Sequence, residues 1–335
     1  MKLYAKKALA ALTATVTAFA ACACSDEIAE SSFDNPLPWH DSVELAPTGS
    51  YEQLVYAVDV YDTTKGASDV KRVFIGNGEM SFTLQEFASG YTTLDMTFTV
   101  TYDQNAPEPD AGLTDTIYSS VDFETNSLSA RRMTKTVNLA DRKDKQNDSY
   151  EITADYFGTH KATYKQTKIE DAKERVKSLP KDACRDNEMM FFLARAQKIG
   201  KNTSTNFKMV NVFDTFVKGK LTEYTMAVSS GEKKVKVDIG NFVQDFGVEA
   251  VTDEKTGEVS YPISCFNTSI SINAERHGPP YSVLYTEKPF VINGKEHKKI
   301  PIKISYNEYK GSSPYRMTEY TLTSCSFDAP PEANS

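Results

Sequence analysis

The side chains of this chain that could do chemistry are four histidines, five cysteines and 46 carboxylates. His40, His160, His277 and His297 are scattered along the chain, and none has a second metal-binding side chain at a recognisable spacing. Exposed polar histidines are therefore expected, and no metal site. The stretch His277-Gly278-Pro279-Pro280 reads as a rigid turn between strands. Cys184 offers a thiol, but nothing beside it in the sequence would lower its pKa and make it a nucleophile. Carboxylates are abundant enough for a glycosidase pair, yet abundance without placement marks none. There is no GxSxG, no SxxK, no phosphate loop and no dinucleotide fingerprint. No catalytic residue and no cofactor follow from these patterns. The basic pairs Arg131-Arg132, Lys233-Lys234 and Lys298-Lys299 are diluted by neighbouring acids, and the net charge is −8. A surface of that sign does not attract phosphate backbones, which argues against nucleic acid as a partner.

Cys22 is a cysteine of another kind. Lys2, Lys6 and Lys7 precede an uncharged apolar run from Ala8 to Ala21, which ends in Phe19-Ala20-Ala21-Cys22. A positive start, a short apolar stretch and small residues before a cut make a secretory leader, too short for a permanent span. A cysteine directly after it resembles a bacterial lipobox, in which the thiol receives diacylglycerol and the residue becomes the mature N-terminus. Phe19 stands where leucine is usual, Cys24 is a second attachment candidate, and an ordinary secretory leader is the alternative. The chain is thus expected to be exported and lipid-anchored to the cell envelope, at an outer membrane facing periplasm or surface. In that oxidising compartment the remaining thiols, Cys184, Cys265 and Cys325, are odd in number. Cys265 and Cys325 lie in strand-like segments and form a candidate disulfide, which would leave Cys184 free.

The elements that would position these groups are mostly strands. Residues 22–50 read as a flexible acidic tether, with Asp26, Glu27, Glu30, Asp34, Asp41 and Glu44 among Pro36, Pro38 and Pro47. The single tryptophan, Trp39, lies in it, either as a docking anchor or exposed. From 51 to 327 the chain reads as one β-rich domain, followed by a loose tail at 328–335. Aromatic residues make up 11% of the chain, which favours sheet over helix bundle. The clearest strand carries Leu94, Met96, Phe98, Val100 and Tyr102 on one face and Thr93, Asp95, Thr97, Thr99 and Thr101 on the other. That period of two places one face in an apolar interior and one in water, as in antiparallel sheets. Further strands are expected at 54–61, 70–75, 116–123, 128–139, 150–157, 207–217, 221–229, 290–292 and 300–306. Turns are expected at Gly76-Asn77-Gly78, Lys218-Gly219, 253–257 and Asn293-Gly294.

One stretch breaks the strand pattern. Residues 184–199 place Met189, Phe192, Leu193, Ala196 and Ile199 on one helical face, with Arg195 and Lys198 turned away. Asp186 is the expected N-cap and Gly200 the stop. A short surface helix is expected before it, from Ile169, Ala172, Val176 and Leu179, so the helical segment spans about 168–199. The fold expected is mostly β (α+β), a large curved antiparallel sheet or half-barrel partly wrapping one central apolar helix.

Three stretches are similar to a family of exported bacterial proteins known only as domain of unknown function 3108. They are Leu54-Val55-Tyr56-Ala57-Val58 with Gly66, Leu179-Pro180-Lys181-Asp182 leading into Met190-Phe191-Phe192-Leu193-Ala194-Arg195, and Lys299-Ile300-Pro301-Ile302-Lys303-Ile304. The likeness covers roughly 50–325, with 141–178 as extra material. It implies a fold and a compartment and supplies no catalytic residues. Three functional readings follow: a lipoprotein binding an apolar or amphipathic ligand, such as a lipid or glycolipid, in a sheet groove lined by Met96, Phe98 and Tyr102; a structural or envelope-assembly lipoprotein acting through protein or polysaccharide contacts; and a glycan-acting enzyme.

Overall fold

The computed structural model describes residues 51–327 apart from 66–69, 88–89, 108–109, 141–148, 183, 198, 200–202, 273–280 and 311–312. The expected leader, Cys22, Cys24, the expected tether with Trp39 and His40, and His277, Gly66, Gly200 and residues 328–335 lie outside the described residues.

Alternation of apolar and polar residues produces a β-protein. The first run of strands is β1 (Tyr51–Lys65), β2 (Val70–Phe87), β3 (Tyr91–Tyr102), β4 (Thr114–Glu124), β5 (Ala130–Asn138), β6 (Tyr150–Asp155), β7 (Lys161–Gln166) and β8 (Arg175–Ser178). The second run is β9 (Thr203–Val210), β10 (Glu223–Asp238), β11 (Val251–Thr252), β12 (Val259–Ser260), β13 (Pro262–Ile272) and β14 (Tyr281–Thr286). It ends with β15 (Phe290–Ile292), β16 (Lys295–His297), β17 (Pro301–Lys310) and β18 (Ser313–Ser326). Fourteen of these form one antiparallel sheet in the order β8-β7-β6-β5-β4-β3-β2-β1-β18-β17-β14-β13-β10-β9, while β11-β12 and β15-β16 are small ribbons. The first eight strands are a meander, and β18 then returns to pair with β1, so the two ends of the domain meet in the middle of the sheet. Along β3 the expected face of Leu94, Met96, Phe98, Val100 and Tyr102 is buried.

The outermost strands, β8 and β9, are not paired with each other, and the sheet is not closed. Residues 184–195 and a second helix fill the seam. The chain passes through a 3₁₀ turn (Asn187–Met189) into α1 (Met190–Arg195), and α2 (Val212–Lys218) follows β9. Ala130 of β5 donates its N–H to the Cys184 carbonyl at 2.8 Å, and Val210 of β9 donates to the Arg185 carbonyl at 2.8 Å. The stretch therefore bridges both halves of the sheet. Phe213 of α2 stacks on Tyr150 of β6 at 4.8 Å, and Phe216 packs on Tyr164 of β7 at 5.4 Å.

Several expectations are corrected. The apolar helix is only α1 and its leading turn; Asp186 does cap it, accepting from the Glu188 N–H. Met189, Leu193 and Ala196 are buried as expected, but Phe192 is only half-buried and Arg195 is buried. No helix forms over 169–179. Ile169 and Val176 are exposed and only Leu179 of that set is fully buried, so the apparent period buries no common face. Cross-strand pairing with β7 instead recruits β8. Lys218-Gly219 is not a hairpin turn but the end of α2, with Asn211 capping its start and Gly219 in the left-handed region at φ 76°. Gly76 and Gly78 lie within β2, where a Cβ on Gly78 would come within 1.8 Å of the Thr99 carbonyl oxygen. These glycines permit a close strand approach rather than a reversal. Asn293-Gly294 does turn, with φ of 50° and 75°, but its return arm is β16.

Candidate functional site

The interior of the sheet is filled. Met96, Phe98 and Tyr102, expected to line a groove, are 5%, 8% and 6% exposed and belong to one contiguous apolar core. Among the described residues, one opening lies beside α1 and another on the outer face.

The opening beside α1 is an apolar slot. Phe191 and Phe192 form one wall, and Leu54, Phe82, Leu84 and Leu94 of β1–β3 form the other, with Pro301 at one end. Free space out to the mouth is about 400 Å³, of which only about 30 Å³ can hold the centre of a water-sized sphere. The opening is narrow. Its floor is charged. The Arg195 guanidinium grips the Glu52 carboxylate in bidentate fashion, at 2.5 and 3.0 Å, and donates to the Lys298 carbonyl at 3.0 and 2.7 Å. His297 Nδ1 lies 3.5 Å from Glu52, and the imidazole packs on Phe327 with ring centres 3.9 Å apart. Burial pushes the Glu52 carboxyl up, but Arg195 and His297 outweigh it and hold the pKa below its usual value of 4.5. A carboxylate so fully engaged is held in place, not poised for proton transfer.

The second opening lies on the outer face of β5–β8, with about 790 Å³ of free space out to its mouth. Cross-strand register sets Arg132, Asp155 and Lys161 in one row and Thr134, Thr153, Thr163 and Val176 in the next, with Glu174 at the rim. Asp155 is held down to about 2 by the backbone N–H groups of Thr159 and Gly158, which it accepts in the turn after β6. Both charge signs and three hydroxyls face water there, a surface for polar contacts.

A third polar cluster lies inside the seam. Lys135 pairs with Glu188 at 2.7 Å, Tyr156 donates to Asp186, and Tyr224 donates to Asn187. Burial, reinforced by the Glu188 carboxylate, pushes Asp186 up to about 7. The cluster ties β5, β6 and β10 to the bridging segment.

The expected site residues fare unequally. Cys265 and Cys325 are free thiols and do not pair. The sheet order places β17 and β14 between their strands. Three strand spacings of about 4.8 Å exceed the roughly 7 Å Cα separation that a disulfide can span. Cys184 is buried and free, and burial pushes its thiol well above the usual range, with Asp186 adding to the effect. Such a thiol is not a nucleophile near neutral pH. His297, expected exposed, is 1% exposed and lies behind Glu52, 3.5 Å from its carboxylate. His160 sits half-buried at φ 51° after β6. Among the described residues no group of three His, Cys, Asp or Glu side chains is arranged to hold a metal ion. Sequence reasoning missed Glu52 altogether, because its partner lies 143 residues away.

Fold and site define a mostly β protein built on one large open antiparallel sheet whose seam is plugged by a short helical segment. No family model matches the chain, and no curated protein does. Among solved structures it is similar to a beta-barrel-like protein of Domain of Unknown Function DUF1849 from Brucella abortus, with a TM-score of 0.47 and 12% identity over 85% of this chain and 100% of that one. Among the described residues no helix is long and apolar enough to cross a membrane.

Proposed function

We propose that this chain is an exported, lipid-anchored envelope protein that acts through contacts made by its outer surface, without catalysis and without carrying a ligand inside the sheet. The observation that carries the reading is the filled interior. Ligand pockets typically enclose roughly 300–1,000 Å³, whereas among the described residues the core strands bury their inward side chains against one another and the slot beside α1 is narrow. The roomier hollow is on the outside, among charged and hydroxyl-bearing side chains that a contact surface for protein or polysaccharide could use. Lipid attachment at Cys22, with Cys24 as the alternative, rests on the leader sequence. Kinship with the domain of unknown function 3108 is part of the same proposal. Its support is that residues from all three similar stretches, Leu54, Phe191, Phe192, Arg195 and Pro301, meet at one slot. A second reading, one apolar chain of an amphiphile lying in that slot, is favoured by the slot's walls.

Two measurements test this. Cys22→Ala should move the protein out of the membrane fraction and abolish labelling by a fatty-acid analogue; labelling that persists until Cys24 is replaced would reassign the anchor. Native mass spectrometry of the detergent-extracted protein should give the chain with its N-terminal lipid and nothing more. An additional stoichiometric lipid would replace the contact reading with the second one.

A further inference from the structure

We propose that the slot beside α1 is the docking site of the chain's own N-terminal segment, with the Trp39 indole as its occupant. The proposal rests on the tether of the preceding reading but not on its lipid. Three observations converge on it. The first is position: the described chain begins at Tyr51, and Glu52 and Leu54, the next inward-facing residues of β1, belong to the slot itself. A segment ending at Ser50 is therefore delivered to the slot at high effective concentration, since closing a loop of about a dozen residues costs little more than closing a shorter one. The second is shape and chemistry. The slot is narrow with aromatic and aliphatic lining, and Phe191 and Phe192 are only partly covered, which leaves apolar ring surface for an aromatic side chain to cover. Leu37 and Trp39 are large apolar residues within reach. The C-terminal tail also starts nearby, after Phe327, but Asp328-Ala329-Pro330-Pro331-Glu332-Ala333-Asn334-Ser335 holds no large apolar side chain. The third is charge. Residues 25–50 contain six acidic residues and no Lys or Arg. Beside the slot, next to the Lys298 carbonyl that Arg195 grips, run Lys295, Lys298 and Lys299 with a single Glu296 among them. Asp34 and Asp41 flank Trp39 on either side and would lie along that basic strip.

Docking would shorten the leash between anchor and domain. From Cys22 to Trp39 a fully extended chain reaches roughly 60 Å, against about 100 Å from Cys22 to Tyr51. An indole released from the slot would let the domain stand further from the membrane, and would bare the apolar walls to a partner.

Trp39 is the only tryptophan, so intrinsic fluorescence reports on this one side chain. In the intact mature protein its emission should be blue-shifted from that of the urea-unfolded chain, several-fold less quenched by acrylamide, and independent of protein concentration. Leu94→Arg, which charges one wall, should return emission and quenching to the unfolded values while the domain still melts cooperatively; Leu84→Gln serves if that variant does not fold. Native emission equal to that of the unfolded chain would overturn the proposal and leave the slot to an outside partner. A blue shift lost on dilution would place the indole in a second copy, and one that survives the wall substitutions in a folded domain would place it elsewhere; either outcome also refutes it.

Discussion

Arg195 shows how a single residue departs from what its neighbours imply. Helical spacing sets it off the apolar face of α1, and on an isolated helix it would point to water. Here the direction leads to Glu52, and both groups are buried, with side chains 5% and 2% exposed. Breaking such a pair is costlier than forming it is favourable, because the surviving charge stays buried without a partner. Arg195→Ala should therefore lower stability by about 3–5 kcal/mol. The double change Arg195→Met with Glu52→Gln should recover much of the loss, as read from urea unfolding midpoints at constant slope. If the single variant unfolds at the wild-type midpoint, the pair is more solvated than its geometry indicates.

At the scale of elements, the sheet behaves as its alternation demands, and the exceptions come from tertiary pairing. β8 is a strand because β7 offers an edge, against the helical spacing of its own residues. α2 carried its signals openly, Asn211 before and Gly219 after, but the apolar Val212, Phe213, Phe216 and Val217 read equally well as strand. β2 continues through two glycines because the partner β3 comes too close for a side chain. Replacing a mid-strand glycine by alanine ordinarily gains about 0.5–1 kcal/mol. Gly78→Ala should do the reverse and lower the melting temperature, since the new methyl group would meet the Thr99 carbonyl oxygen at 1.8 Å. A neutral or stabilising effect would mean that β2 and β3 can separate there without loss.

The whole molecule depends on its seam. One buried polar cluster stitches β5, β6 and β10 to residues 184–188, and a second, Arg316 with Asp110, Asp62 and Glu308, joins the ends of β1, β17 and β18 to the loop after β3. Asp186 and Glu308 are both raised to about 7 by burial, in Glu308 against the pull of Arg316, from ordinary values of 3.8 and 4.5. The unfolded chain gives up these protons first. Their contribution is thus complete below about pH 4 and is lost as pH rises through about 7, by at most about 1.4 kcal/mol per pH unit for each group. Glu52 acts in the opposite sense: its depressed pKa supports the fold above the ordinary carboxylate range and ceases to do so in stronger acid. Thermal melting should accordingly be highest near pH 4, fall toward pH 7 and level off above it. In the double variant Asp186→Asn and Glu308→Gln that fall should flatten; an equally steep decline would assign it to other groups.

By itself the sequence determined the class of fold. Apolar alternation of period two, as in β3, can be satisfied only by a sheet with one covered face, and the cap at Asp186 and the turn at Asn293-Gly294 are local chemistry that needs no distant partner. The tertiary structure alone decided the rest, because each remaining feature joins residues far apart in the chain. It made Arg195 a buried partner of Glu52, drew 175–178 onto an edge, kept Cys265 and Cys325 three strands apart, and turned three separated stretches into the walls and floor of one slot. Local periodicity constrains which side of an element faces inward, but which distant side chain it meets depends on strand order and register.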